Sequence, residues 1–447
     1  MSRCSGNHGM SRRRFFGAAA GGSAAFQALV RRGDAQILTG GARPRGTAKA
    51  VIFVNMQGAP SHLDTFDPKD GPWNPPDADI RQFSGGLLLS QTLFPRLSTT
   101  TNDLCVLRSV TSWELAHDRG QFYMQTAHSS NPAFIAETPH IGSVIAVEKA
   151  TGGALPTFLA LGTSPISGSK FLSGSAEPMI APANPGGLTT IQHNYYNSQS
   201  QSRFEEKFKL LADLDASLRA NPPSKSMADH AEFYGAARKL MYDPSVASVF
   251  SFSTADAARY GTTGFGNSCI VARNAIQARN GTAFINLTYG GWDTHQNMFD
   301  RQYGGNMYQL CNVMDRALGE LVGDLKASGD FASTLIVLMG EFGRTPGALN
   351  SQQGRDHHKY AMSVLLMGGG VRGGQAIGAS DSIGFYVADP GWSEQRPITT
   401  EDIAATIYSA LGIDWTKSFT DTPSGRRFEY VPRASAGIYT AINEVFN

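Results

Sequence analysis

The sequence predicts an α/β fold with a largely parallel central sheet flanked by helices. Short apolar runs of strand length, such as KAVIFVNM at 49–56 and TLIVLM at 334–339, alternate along the chain with segments of helical periodicity. These runs are continuously apolar, which is typical of strands buried on both faces of a parallel sheet. With 447 residues, of which 41% are hydrophobic, the chain is long enough to build such a core.

The first 35 residues predict a twin-arginine export signal. The sequence SRRRFF at 11–16 has the form of the twin-arginine motif, and a weakly apolar, Gly/Ala-rich stretch continues to residue 30. That stretch is too short to span a membrane, and small residues at 33–35 suit a signal peptidase. We expect a periplasmic or extracellular mature protein beginning near Gln36, with the twin-arginine translocase as its partner during export. The alternative is a disordered basic tail.

The net charge bears on the possible binding partners, and the cysteine content bears on the possibility of disulfide bonds. A net charge of +1 favours neither nucleic acid nor an acidic membrane surface. Outside the signal there are three cysteines, Cys105, Cys269 and Cys311, an odd number without close spacing. We therefore expect no disulfide scaffold, and Cys269 and Cys311 on apolar helical faces as buried thiols.

The first part of the chain, up to residue 262, begins with an apolar run that predicts a buried strand, and its composition becomes polar from about residue 150. Its predicted elements are strands at 49–56 and 104–110 and helices at 118–127, 202–220 and 227–241. A turn-rich loop, QGAPSHLD, follows the first strand. The segment from about 150 to 262 is rich in Ser, Asn and Gln, and we interpret it as a helical insertion or cap within a single domain spanning 36–447.

Regular alternation returns after Gly264. Leucines and methionines at three- and four-residue steps predict a long amphipathic helix, and Gly412 ends the last helix. The predicted elements are a helix at 269–278, a strand at 282–287, a helix at 307–325, strands at 334–339 and 363–367, and a helix at 402–411.

Acidic residues and histidines collect at the ends of the predicted strands. They are His62 and Asp64 after the first strand, Glu114, His117 and Asp118 after the second, Asp293 and His295 after the strand at 282–287, Glu341 after TLIVLMG, and Asp356, His357 and His358 just before the strand at 363–367. Five of the ten histidines lie at these junctions. Because ligands bind at the carboxyl ends of strands in such sheets, the pattern predicts one shared polar site.

Nitrogen and oxygen ligands without thiolates suggest zinc, manganese, calcium or magnesium, as one or two ions. Such ions activate water and polarise esters. Taken singly, each group has another interpretation: a turn cap for Asp293 and His295, a surface carboxylate or an Arg344 partner for Glu341, and an exposed pair for His357 and His358. Their shared position at strand ends favours a metal or catalytic site.

Five motifs resemble an exported bacterial family of uncharacterised, sulfatase-like proteins in the alkaline phosphatase superfamily. They are GAPSHLDTFDP, GGWDTH, TLIVLMGEFGRTP, GRDHH with SVLLMGGGVRGG, and DIAATIYSALGID, and together they extend over nearly the whole mature chain. The resemblance implies an alkaline phosphatase-like α/β fold and a hydrolase of phosphate or sulfate esters. It also implies substrates such as esters on extracellular polysaccharide, lipid or nucleotide.

The resemblance also implies a ligand set. The implied metal ligands are drawn from Asp64, Asp293, His295, Glu341, Asp356, His357 and His358, and Arg344 or Arg355 would bind an anionic oxygen. Where the superfamily has Asp-His-Gly, this chain has Glu341-Phe-Gly, so one imidazole is missing. The sequence does not choose between His357 and His358 for the late histidine.

The largest departure from the superfamily is the nucleophile. No Cys-x-Pro/Ala-x-Arg signature occurs, which disfavours a formylglycine sulfatase, and His117 stands where the nucleophile is expected. The sequence leaves several roles open. His117 could be the nucleophile, a metal ligand or a base, and the nucleophile could instead be the hydroxyl of Thr111 or Ser112 or an activated water. The expectation is an exported metal-dependent hydrolase. The alternatives are a degenerate pseudo-enzyme that binds a polymer or acts in envelope assembly, and a metal-dependent lyase or transferase.

Overall fold

The computed structural model describes residues 42–162, 165–185, 201–224, 227–230, 232, 235, 240 and 243–446. The predicted export signal at 1–35 lies outside the described residues, as does much of the helix predicted at 227–241. Within the described part of the chain, no helix is long and apolar enough to cross a membrane.

The five strands predicted from apolar runs are present, together with shorter strands that were not predicted. In chain order they are β1 (Ala50–Asn55), β2 (Ile80–Gln82), β3 (Leu88–Ser90), β4 (Cys105–Val110), β5 (Phe158–Leu161), β6 (Met179–Ala181), β7 (Phe284–Thr288), β8 (Thr334–Met339), β9 (Gly343–Arg344), β10 (His357–His358), β11 (Met362–Met367), β12 (Gln375–Ile377), β13 (Ala379–Ser380), β14 (Val387–Asp389), β15 (Ser418–Phe419) and β16 (Phe428–Glu429).

Most of the helices correspond to predicted helical segments, and those at 141–149, 244–250 and 254–259 were not predicted. They are α1 (His117–Thr126), α2 (Ile141–Lys149), α3 (Gln201–Leu214), α4 (Ala216–Ala220), α5 (Pro244–Phe250), α6 (Thr254–Arg259), α7 (Gly264–Ala278), α8 (Met307–Ala327) and α9 (Thr400–Ala410). The predicted helix at 202–220 is present as α3 and α4, which are separated at Asp215.

Eight strands form the central sheet, in the order β12-β4-β11-β8-β1-β7-β5-β6. Every neighbouring pair is parallel except the two pairs that involve β11. The strands β1, β8 and β11 are buried along their whole length. The predicted α/β fold with a largely parallel sheet flanked by helices is therefore confirmed.

The core forms one layer on each face of the sheet because side chains alternate along a strand. Val51 and Phe53 pack into the layer that contains α1, α2 and α9, whereas Ile52 and Val54 pack into the layer that contains α7 and α8. The three cysteines of the described chain are free and buried within these layers, as expected.

Strand β11 runs against its neighbours, and this positions the site. Its amino end lies at the edge where β1, β7 and β8 have their carboxyl ends. The short β9–β10 hairpin precedes it there and pairs His357 with Arg344. The GRDHH motif, which precedes a strand in the sequence, therefore reaches the same edge as motifs that follow strands.

The segment predicted to be an insertion or cap contributes to the sheet. Strand β5 pairs in parallel with β7, and β6 extends the sheet beyond β5. Helices α3 to α6 also belong to this segment. The assignment of 150–262 as an insertion within one domain stays a prediction.

Candidate metal centre

Three side chains from separate junctions meet at the carboxyl edge of the sheet. His117 is the first residue of α1, Asp293 follows β7, and His357 lies on β10. Each offers one ligand atom, and these atoms lie within 4.8 Å of one another. The sheet thus brings together residues that are between 64 and 240 positions apart in the sequence.

The contacts centre on a single carboxylate oxygen. Asp293 Oδ1 lies 3.1 Å from His117 Nε2, 3.0 Å from His295 Nε2 and 3.5 Å from His357 Nε2. His295 Nε2 and His357 Nε2 are 3.1 Å apart. Three imidazole nitrogens therefore face the same small volume as one carboxylate oxygen.

The opposite nitrogen of each imidazole has a hydrogen-bond acceptor. The acceptors are Glu341 Oε1 for His117 (2.7 Å), Asp356 Oδ1 for His295 (2.9 Å) and Leu115 O for His357 (2.7 Å). Each neutral ring therefore carries its proton on Nδ1 and keeps the Nε2 lone pair directed at the centre. Histidines that bind metals are commonly oriented in this way.

Such lone pairs repel one another and the Asp293 carboxylate unless a cation or a proton lies among them. His117 Nε2 is buried and has no hydrogen-bond partner, although it faces Asp293 Oδ1. Imidazole nitrogens with one carboxylate oxygen are a donor set that zinc and manganese accept. The residues present therefore fit a divalent metal ion.

Protonation is biased in opposite directions within the cluster. The hydrogen bond that His117 Nδ1 donates to Glu341 is the largest influence on the pKa of His117 and raises it. Burial lowers the pKa of His357. Burial also acts to raise the pKa of Asp293, but the hydrogen bond and charge of Arg344, with His117 and His295, lower it to about 2. Asp293 is therefore ionised at neutral pH and attracts a cation.

Glu341 supports His117 rather than facing the centre. Its side chain is fully buried, and its two oxygens accept the backbone N–H groups of Gly58 (3.0 Å) and Ala59 (3.1 Å) as well as His117 Nδ1. Helix α1 approaches closely because residue 120 is glycine: a Cβ there would lie 2.9 Å from Glu341 Cβ. Glu341, which was predicted to be a metal ligand, instead contacts His117, one of the histidines that face the centre.

Arg344 forms the buried wall of the centre. Its Nε donates to Ala59 O (2.9 Å), and its terminal nitrogens donate to Gly58 O (2.5 Å) and Arg355 O (3.1 Å). The same guanidinium also contacts Asp293 Oδ1 and lies 3.2 Å from His295 Nε2. All of its nitrogens are therefore occupied within the protein.

The structure does not bring Asp64 and Arg355 to the imidazoles. Asp64 ends a short turn after β1 and pairs with Arg355 Nε at 2.7 Å, and Ser61 donates to the same carboxylate at 2.5 Å. The remaining Arg355 contacts are carbonyls, Thr345 O and Gly347 O. Because both charged side chains are buried, we interpret this ion pair as a structural link between the two loops that carry it.

Side-chain alternation along a strand places His357 and His358 on opposite faces of β10. His357 faces the centre, whereas His358 lies on the opposite face of β10, where its Nε2 hydrogen-bonds Phe385 O at 2.7 Å and its ring stacks near His62. The Ser112 hydroxyl accepts the Glu114 N–H, and the nearest contact of the Thr111 hydroxyl is Ile398 O. In the described chain, none of these three side chains is found among the converging groups.

Several contributors are backbone groups that no residue pattern indicates. They are the Leu115 carbonyl on His357 and the Gly58 and Ala59 groups that hold Glu341 and Arg344. The available signal in the sequence was the glycine at position 58, because glycine is typical of turns with left-handed backbone. Gly58 adopts that conformation here (φ 108°).

The model of the family described as Protein of unknown function (DUF1501) matches residues 48–438. No curated protein matches the sequence.

Solved structures that are similar share little sequence with this chain. Ps i-CgsB in complex with k-i-k-neocarrahexaose is 12% identical, with 83% of this chain and 72% of that chain covered and a TM-score of 0.41. The lipoteichoic acid synthase LtaP from Listeria monocytogenes is 11% identical, with 84% and 76% covered and a TM-score of 0.40. A protein in the alkaline phosphatase superfamily from Vibrio parahaemolyticus is 10% identical, with 85% and 71% covered and a TM-score of 0.39.

Proposed function

The chain belongs to the DUF1501 family, whose description assigns no activity, and from its site we propose that it is an exported, metal-dependent hydrolase of phosphate or sulfate esters. We place it in the alkaline phosphatase superfamily, without a formylglycine nucleophile. The observation that carries the proposal is the convergence of three imidazole Nε2 atoms, each with its Nδ1 held by an acceptor, on Asp293 Oδ1.

His117, Asp293 and His357 would hold the ion, with His295 beside them. A divalent ion bound there supplies polarisation of an anionic ester and activation of water. We assign His117 as a ligand rather than a nucleophile because its single free nitrogen faces Asp293 Oδ1 at 3.1 Å. Glu341 and Asp356 fix the ring orientations of His117 and His295.

The centre is buried on one side and open on the other. The side chains of Glu341 and Arg344 are completely buried, whereas that of Asp293 is 46% exposed. The open side admits a substrate, and the buried side holds the ligands in place. Trp113, 60% exposed in the loop before His117, lies in the segment whose Leu115 carbonyl holds His357. We expect that loop to contact the alcohol portion of an ester.

Arg344 and Arg355 serve the fold of the site rather than substrate binding. Each has its donors engaged by carbonyl and carboxylate oxygens of the protein. The substrate itself is an anionic phosphate or sulfate ester, and an ester on polysaccharide or lipid would suit an exported protein.

A degenerate pseudo-enzyme on the same fold is the second candidate. Thr111 and Ser112, the hydroxyls nearest the expected nucleophile position in the sequence, contact backbone groups instead of the cluster. On this alternative the centre binds metal and supports a binding or assembly role in the cell envelope, with no ester hydrolysis.

Metal content of the mature protein, residues 36–447, tests the proposal. We expect bound zinc or manganese in the wild type, loss of it in Asp293→Ala/His357→Ala, and retention in Asp421→Ala, which removes an exposed carboxylate elsewhere. A wild type that binds no metal after loading would sink the hydrolase. Metal-loaded protein that cleaves no member of a panel of phosphate and sulfate esters would favour the pseudo-enzyme.

Export is tested separately. We expect Arg12→Lys/Arg13→Lys to keep the protein in the cytoplasm while the wild type reaches the periplasm, because the twin-arginine motif is the proposed address. Cell fractionation measures the distribution. Unchanged export of this variant would contradict the twin-arginine route.

A further inference from the structure

Arg344 brings a positive charge against two atoms that could bind a metal ion, Asp293 Oδ1 and His295 Nε2. Its guanidinium contacts Asp293 Oδ1 and lies 3.2 Å from His295 Nε2. His295 Nδ1 is directed at Asp356 Oδ1, so the lone pair on its Nε2 accepts a hydrogen bond from an Arg344 N–H. A carboxylate oxygen and an imidazole nitrogen that face one cation form half of an ordinary metal site.

This guanidinium is fixed in position. The Arg344 side chain is fully buried and is held by the Gly58, Ala59 and Arg355 carbonyls in addition to the cluster. Arg344 also belongs to β9, whose pairing with β10 sets it opposite His357. Moving the charge away would leave three carbonyls without their donor, so it stays beside Asp293 when a metal ion binds.

We propose that Arg344 is a built-in second cation, which occupies the position between Asp293 and His295 where a second divalent ion would otherwise bind. The centre therefore takes one ion, on His117, Asp293 and His357, and His295 serves chiefly as the acceptor for Arg344. This inference rests on the proposed metal-dependent function, and it adds the stoichiometry and the division of labour among the four groups.

The charges around the centre agree with one ion. Asp293, Glu341 and Asp356 bring three negative charges, and Arg344 offsets one of them. A single divalent ion balances the remaining two. A second ion would leave two positive charges in excess, and it would lie against a guanidinium with little water between them, where repulsion is strong.

The contact with Arg344 distinguishes His295 from the other two histidines. His117 Nε2 has no hydrogen-bond partner and is free to bind an ion. The ligand atoms of His357, Asp293 and His117 lie within 4.8 Å of one another. His295 Nε2 is also close to Asp293 Oδ1, at 3.0 Å, but it is the nitrogen that faces an Arg344 N–H. Removal of His295 should therefore leave the ion in place, and removal of His357 should not.

The experiment titrates Mn²⁺ into the metal-free mature protein and measures equivalents bound by equilibrium dialysis, with the electron paramagnetic resonance spectrum of the bound ion as a second readout. We expect about one equivalent in the wild type, with the signal of an isolated ion. We expect His295→Ala to retain about one equivalent, and His357→Ala to lose tight binding.

Two tight equivalents in the wild type, with a spin-coupled spectrum, would overturn the inference while leaving the hydrolase standing. A fall from two equivalents to one in His295→Ala would do the same. Absence of binding in the wild type would instead overturn the proposed function itself. Arg344→Lys, which keeps the charge, should remain at one equivalent, whereas Arg344→Met, if it folds by circular dichroism, should gain a second. Because Arg344→Met can unfold, the wild-type and His295→Ala stoichiometries carry the decision.

Discussion

Two aspartate–arginine pairs lie at the same edge of the sheet and differ in what surrounds them. Asp64 pairs with Arg355 at 2.7 Å, and Asp293 pairs with Arg344. Both guanidiniums are completely buried and hold backbone carbonyls with their other donors. The aspartates differ: the side chain of Asp64 is 3% exposed, whereas that of Asp293 is 46% exposed.

The neighbours of each carboxylate account for the difference in role. Asp64 receives a hydroxyl from Ser61, so its acceptor capacity is used within the protein. Asp293 faces three imidazole nitrogens instead, and none of them has a hydrogen to donate in the neutral form of its ring. The buried pair, Asp64 and Arg355, stabilises the loops that carry it. The partly exposed carboxylate of Asp293 is accessible to a cation.

The largest expected effect separates the two pairs. Asp64→Ala leaves Arg355 buried without its counter-ion, which should lower the free energy of unfolding by about 3–5 kcal/mol while the folded fraction still binds metal. Asp293→Ala should abolish metal binding and cost less stability, because its carboxylate is half exposed and Arg344 keeps its carbonyl acceptors. Urea unfolding and metal titration measure the two effects. Equal loss of stability in both variants would show that the pairs are equivalent.

A smaller effect is expected from Glu341→Gln. The amide cannot accept the His117 N–H and both backbone N–H groups as the carboxylate does, so His117 loses its orientation. Metal affinity should fall by roughly 10–100-fold, with stoichiometry unchanged. Isothermal titration measures the affinity, and Glu341→Asp is the charge-retaining control. Unchanged affinity in Glu341→Gln would contradict the positioning role.

Asp356→Asn should have a weaker effect on affinity than Glu341→Gln. Asp356 is a carboxylate on the outer nitrogen of His295, but its side chain is 58% exposed and water can replace it. His295 is also the histidine that contacts Arg344. We expect a change of less than roughly tenfold by the same titration. A loss that matches Glu341→Gln would assign His295 to the metal as firmly as His117.

The smallest effect is the pH dependence of the metal-free protein. The folded-state pKa of His117 is raised, so protonated His117 contributes stability below its unfolded value of 6.5, and this contribution is lost as the pH rises through the folded pKa. Metal binding needs the neutral ring, so affinity should rise with pH over the same interval and protons should be released. Calorimetry in buffers of different ionisation enthalpy counts them. His117→Gln is the control, and an unaltered proton count in this variant would contradict the assignment.

The sequence by itself determined five of the eight strands of the central sheet, its longest helices and the edge at which the candidate site lies. Apolar runs and helical periods are local properties, so β8 was predicted at its observed bounds and α8 nearly so. The accumulation of histidines and carboxylates at strand ends indicated the site because strands in a parallel sheet end at one edge. The boundaries of the segment at 150–262 were harder to interpret, since β5 and β6 are short and their partners lie far away in sequence.

Only the tertiary structure decided which groups meet. The sequence offered both Asp64 and Asp293 as ligands, and it did not choose between Arg344 and Arg355 or between His357 and His358. Long-range packing paired Asp64 with Arg355 across 291 positions and Asp293 with Arg344 across 51, and the alternation of β10 turned His358 away from the centre. The antiparallel course of β11 brought the hairpin to this edge. Residue types specify what chemistry is available, whereas burial and the direction of each side chain depend on neighbours that are distant in sequence.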